Sequence, residues 1–146
     1  MAQFVWIAYI KPGIYDLLFN SADAMNPGKF FKSFTYALSG ISTVFKDEFN
    51  ARVHFLAALA AIILGIVLNL TRFEWLILIL VIGAVFAMEM INTSIEGLAD
   101  LYSNAPNPKI KRIKDLSAGA VLVAAITALV VGIIIFLPKI LTVFLY

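Results

Sequence analysis

Four polar residues, Glu89, Asn92, Glu96 and Asp100, recur three or four positions apart in AMEMINTSIEGLAD, residues 87–100. At helical spacing they fall, with Thr93, within an arc of about 100° on one face. Directly before them stand fourteen residues without a charge, WLILILVIGAVFAM, residues 75–88. Glu89 therefore sits about 20 Å along a helix that opens in an apolar run. An acidic side chain left alone in hydrocarbon costs at least ~2.5 kcal/mol. It persists there by pairing, by binding a cation, or by moving protons.

Candidate partners stand at the ends of two other apolar stretches. One opens with KDEFNARVHF, where Glu48 and Arg52 are one turn apart, and another follows Lys114 and Asp115. If the three helix ends meet, Glu48, Glu89, Glu96, Asp100 and Asp115 join Asn92, Arg52 and Lys114. Carboxylates with an amide suit a hard cation, and Mg²⁺ asks for only one or two of them when phosphate oxygens complete its shell. A neighbouring lysine suits phosphate. Interhelical salt bridges are the plainer use of the same residues. The one histidine, His54, reads as an interfacial polar residue rather than a ligand or base.

The elements that must position these groups are membrane helices. Of 146 residues, 62% are hydrophobic and 14% charged, too few to clothe a soluble core of this size. Three stretches are long enough to cross ~30 Å of hydrocarbon: residues 49–70, 75–98 and 116–137. Residues 29–46, KFFKSFTYALSGISTVFK, alternate at helical spacing. Phe30, Phe34, Leu38, Ile41 and Phe45 share one face; Lys32, Thr35, Ser39 and Lys46 share the other. That pattern predicts an amphipathic helix in the membrane surface. Small residues every fourth position, Ala57–Ala61–Gly65 and Ala120–Ala124–Ala128–Gly132, predict close helix packing in lipid.

Lys109, Lys111, Arg112 and Lys114 follow the second span, and Lys29, Lys32, Lys46 and Arg52 lie before or at the start of the first. Basic residues stay inside, which puts the N-terminus in the cytoplasm and the C-terminus outside. A net charge of +2 and no cysteine argue against nucleic acid and exclude thiolate chemistry. Neither a Gly-rich phosphate loop nor a nucleophile motif is present. A lipid-modifying enzyme and a small transport or proton-conducting protein both remain compatible with intramembrane carboxylates. A structural anchor leaves them without a role.

The order EMINTSIEGLAD, a short polar loop, then IKDLSAGAV resembles the small prokaryotic diacylglycerol kinase family, which includes undecaprenol kinases. The resemblance runs over about residues 29–138. It implies an all-α homotrimer with three spans and an N-terminal surface helix per subunit, in the bacterial inner membrane. It implies transfer of the γ-phosphate of MgATP to a lipid hydroxyl on the cytoplasmic side. By motif, Glu89 matches the general base and Asn92 the active-site amide, with Glu48 and Glu96 matching the Mg²⁺-binding glutamates. Lys29, Tyr36, Glu48, Glu96, Lys114 and Asp115 match ATP contacts, as does the loop at Ala105–Asn107. Arg52 and Asp100 complete the polar cluster. The kinase domain is expected over residues 29–146, with 1–28 an extension and Met25 a start of translation.

Overall fold

A computed structural model describes residues 27–102 and 107–145. The described residues form four helices and no strand: α1 (Pro27–Asp47), α2 (Phe49–Val67), α3 (Arg72–Tyr102) and α4 (Pro108–Leu145). The last three are long and apolar enough to cross a membrane. The chain is an all-α integral membrane protein.

The chain divides after Ser39 into two compact units. In the first, residues 27–39 of α1 are helical and residues 28–39 exposed, with Phe30, Phe31 and Phe34 open on the surface. Ser33 and Thr35 turn their hydroxyls back to the carbonyls of Lys29 and Phe31. In the second unit, the last turns of α1 are anchored: Val44 is buried, and the Phe45 ring meets Phe55 edge-on and Phe86 at a tilt. Glu48, in extended backbone, is the single-residue joint between α1 and α2.

The turn from α2 to α3 is fixed by local chemistry. Asn69 takes the left-handed conformation, φ 51°, which asparagine tolerates better than most residues. The amides of Leu70 and Asn69 then bond the carbonyls of Gly65 and Ile66, closing the end of α2 in a Schellman motif. Thr71 and Glu74 cap α3 reciprocally: Thr71 N–H donates to the Glu74 carboxylate at 2.6 Å, and Glu74 N–H to Thr71 Oγ1 at 3.3 Å. This is the Thr-x-x-Glu capping box. The same carboxylate takes Lys139 of α4 at 3.2 Å. Beside this turn the Trp75 indole lies on Gly65, where a Cβ would come within 3.0 Å of the ring.

The helix ends differ from the expected spans: α2 stops at Val67, α3 contains 75–98 and runs on to Tyr102, and α4 contains 116–137, starting at Pro108 and continuing to Leu145. Asn107 explains the early start of α4, its side-chain oxygen accepting from Lys109 N–H at 2.9 Å; Pro at the first helical position needs no donor. Pro138 does not end α4. It removes one helix hydrogen bond and the helix runs through it.

Of the expected small-residue stripe of α2, Gly65 is buried and Ala61 is half-buried against the apolar core, whereas Ala57 is exposed; Ala51 and Ala58 join Gly65 in a buried line seven apart. On α3, Leu78, Val85 and Asn92 repeat the same interval, with Glu89 beside them. A seven-residue repeat keeps one seam facing its neighbour along a left-handed crossing. Glu89 and Asn92 thus continue the buried apolar line of Leu78 and Val85.

Candidate active site

Glu89 is 2% exposed, the most enclosed large side chain among the described residues. Its Oε1 lies 3.2 Å from His54 Nε2 on α2. Oε1 has no hydrogen bond. The other charges acting on Glu89 are those of Glu48 and Glu96, both repulsive. A carboxylate therefore sits at the end of an apolar run with one oxygen unsatisfied and two like charges acting on it.

Asn92 organises the next turn. Its amide nitrogen donates to Glu96 Oε1 at 2.8 Å, and its oxygen accepts from Ser117 Oγ on α4 at 2.6 Å. Ser117 Oγ is also 3.0 Å from the Lys114 carbonyl; its one proton serves the shorter contact. Both Asn92 and Ser117 are 8% exposed. The chain Ser117–Asn92–Glu96 ties α3 to α4 and fixes the direction of the Glu96 carboxylate. Buried polar side chains so paired hold a single geometry. Thr93 and Ser94 turn back to the carbonyls of Glu89 and Met90.

Below this layer, Lys114 Nζ binds Asp100 Oδ1 across the two helices at 2.5 Å, and Lys111 binds Asp115 along α4 at 2.8 Å. Arg52 lies 5.9 Å over the Phe49 ring; the pairing with Glu48 suggested by their one-turn spacing is not formed. Glu48 is half-buried at the start of α2. Lys29 and Tyr36 belong to the first unit, where Tyr36 is exposed. Ala105 and Pro106 lie outside the described residues, and Asn107 serves as the cap of α4.

Sequence reasoning missed two residues. His54 comes from a span whose hydropathy gives no hint of its depth, and only its pairing with α3 reveals the contact. Ser117 lies inside IKDLSAGAV, three positions after Lys114; that spacing places it on the same face and was the available signal.

Among the described residues no three His, Asp or Glu side chains gather as a metal cage. Glu48 and Glu96 are the two carboxylates whose charges act on Glu89.

The model of the prokaryotic diacylglycerol kinase family matches residues 35–136. The chain belongs to that family. The undecaprenol kinase of Bacillus subtilis is 42% identical over 111 residues, covering 76% of this chain and 90% of that protein. The diacylglycerol kinase of Synechocystis is 35% identical over 133 residues, 90% of this chain and 75% of its own. A diacylglycerol kinase of Helicobacter pylori is 31% identical over 98 residues, 67% of this chain and 77% of that protein. This member of the prokaryotic diacylglycerol kinase family is a lipid kinase. The match includes every polar residue of the α2–α4 cluster and Tyr36, and leaves out Lys29.

Proposed function

We propose that the protein transfers the γ-phosphate of MgATP to the hydroxyl of a membrane lipid at the cytoplasmic face of the bacterial inner membrane. One observation carries the reading: a carboxylate, Glu89, stands buried at the end of an apolar span. Only there do a substrate that stays in lipid and one that stays in water meet without either leaving its solvent.

Glu89 acts as general base. As the lipid oxygen attacks the γ-phosphorus, its proton passes to the Glu89 carboxylate and a new O–P bond forms. The bridging P–O bond breaks, and ADP leaves with the electron pair. Such transfer asks for position and charge neutralisation more than for covalent help. Glu48 and Glu96 hold the nucleotide's metal, and Mg²⁺ bound there would neutralise charge on the phosphate oxygens. Asn92 aims Glu96 through its 2.8 Å bond. Lys114 and Asp115, with Lys29 and Tyr36, contact ATP; the present anionic partner of Lys114, Asp100, is one a polyphosphate can displace. Residues 29–146 make up the kinase domain, and the working unit is a homotrimer.

Undecaprenol is the preferred acceptor in this reading, supported by the 42% identity to a protein of that name. The test is a proteoliposome assay with MgATP, undecaprenol and diacylglycerol side by side. Phosphorylated undecaprenol in excess supports the assignment, and faster turnover of diacylglycerol reverses the order. No product from either lipid overturns the function.

A further inference from the structure

Resting on the reading of Glu89 as the base, we propose that His54 is a positioning residue for it, donating Nε2–H to Glu89 Oε1 and so turning the second oxygen to the acceptor hydroxyl. Three features of the structure converge on this imidazole. Its Nε2 lies 3.2 Å from Glu89 Oε1. That oxygen is buried and has no other hydrogen-bond donor, and a buried polar atom left unbonded is costly. The same imidazole is also the one hydrogen-bonding side chain lining an apolar groove of about 550 Å³ among α2, α3 and α4.

His54 therefore stands where apolar lining gives way to the carboxylate. At 3.2 Å the two atoms are within hydrogen-bond distance. Without a donor on Oε1, the carboxylate has two equivalent orientations and two oxygens competing for one proton. With it, the direction of the accepting oxygen is set, and a base acts efficiently only when held in reach of the proton it takes. The groups facing the pair are the carboxylates of Glu48 and Glu96. Neither can donate when ionised, so the imidazole N–H has no substitute on either side.

The experiment compares His54→Gln with His54→Asn in the full chain, reconstituted in lipid. Gln places its amide nitrogen near the position of Nε2, whereas Asn reaches only as far as Nδ1. His54→Gln is expected to keep at least a third of wild-type kcat. His54→Asn is expected to lose at least tenfold in kcat, with KM for MgATP within twofold and an unchanged melting temperature. Equal kcat in the two variants overturns the proposal, as does a loss in His54→Asn that appears in KM for MgATP rather than in kcat. Glu89→Gln is assayed in parallel to separate this idea from the one beneath it. An active Glu89→Gln removes the base assignment itself. An inactive Glu89→Gln beside a fully active His54→Asn removes only the role of His54.

Discussion

At the scale of single residues, Asn92 and Glu89 make opposite demands. Asn92 is fully used, bonded to Glu96 on one side and Ser117 on the other, whereas Glu89 keeps an oxygen in reserve. Glu89→Gln is expected to lower turnover by a factor of about 10²–10⁴, the usual worth of a general base, while ATP binding measured by a fluorescent analogue stays within a factor of a few. Ser117→Ala leaves the Asn92 oxygen without its donor, a loss of roughly 1–3 kcal/mol. The melting temperature should fall, and the Mg²⁺ concentration for half-maximal rate should rise as Glu96 loses its aim. Glu48→Gln and Glu96→Gln should each raise that concentration further, and unchanged metal dependence in both would remove the metal assignment. The stripe Glu89–Asn92–Glu96 was legible because it lies on one helix, where spacing alone fixes the face. His54 and Ser117 were not, because they reach the stripe from helices 35 and 25 positions away in sequence, and no local period encodes that distance.

At the scale of helices, the number and type of elements were plain from hydropathy, because a membrane admits little besides helices of sufficient length. Their ends were less so. The Schellman turn at Asn69 and the capping box Thr71–Glu74 stop and start helices by hydrogen bonds that a hydropathy reading does not count. The packing face of α2 was legible at Ala61 and Gly65 but not at Ala57: alanines are frequent enough to draw stripes at four-residue spacing, while the seam follows seven. Gly65 is the position where this seam can be tested. Gly65→Ala brings a methyl within 3.0 Å of the Trp75 ring and 3.3 Å of Leu70, an overpacking expected to cost ~1–3 kcal/mol. Pairing it with Trp75→Phe, which removes the ring atoms in contact, should recover most of the lost melting temperature. Gly40, with open space around it, serves as the control for alanine substitution.

At the scale of the whole molecule, most of the large apolar side chains of α2 and α4 are open, which suits lipid and also suits other subunits. Glu96 and Asp100 must nonetheless avoid hydrocarbon. A trimer can enclose them, and native mass spectrometry in mild detergent, with turnover measured on the same sample, checks it; a fully active monomer would sink the shared assembly. Orientation is equally accessible, since the chain has no cysteine and single cysteines can be introduced cleanly. Lys109→Cys should react with an impermeant thiol reagent only from the cytoplasmic side, and Arg72→Cys only from outside.

The indole resting on Gly65 has an optical consequence. Trp75 is one of two tryptophans, the other being Trp6, so Trp6→Phe leaves a single emitter at the α2–α3 turn. Its fluorescence then reports that end of the hairpin alone, while enzymatic turnover reports the opposite end, where Glu89 lies on the same helix. Heating one sample and following both signals shows whether the two ends of α3 melt as one unit. If emission shifts to the red before turnover is lost, the hairpin loosens at its far end while the chemistry still runs.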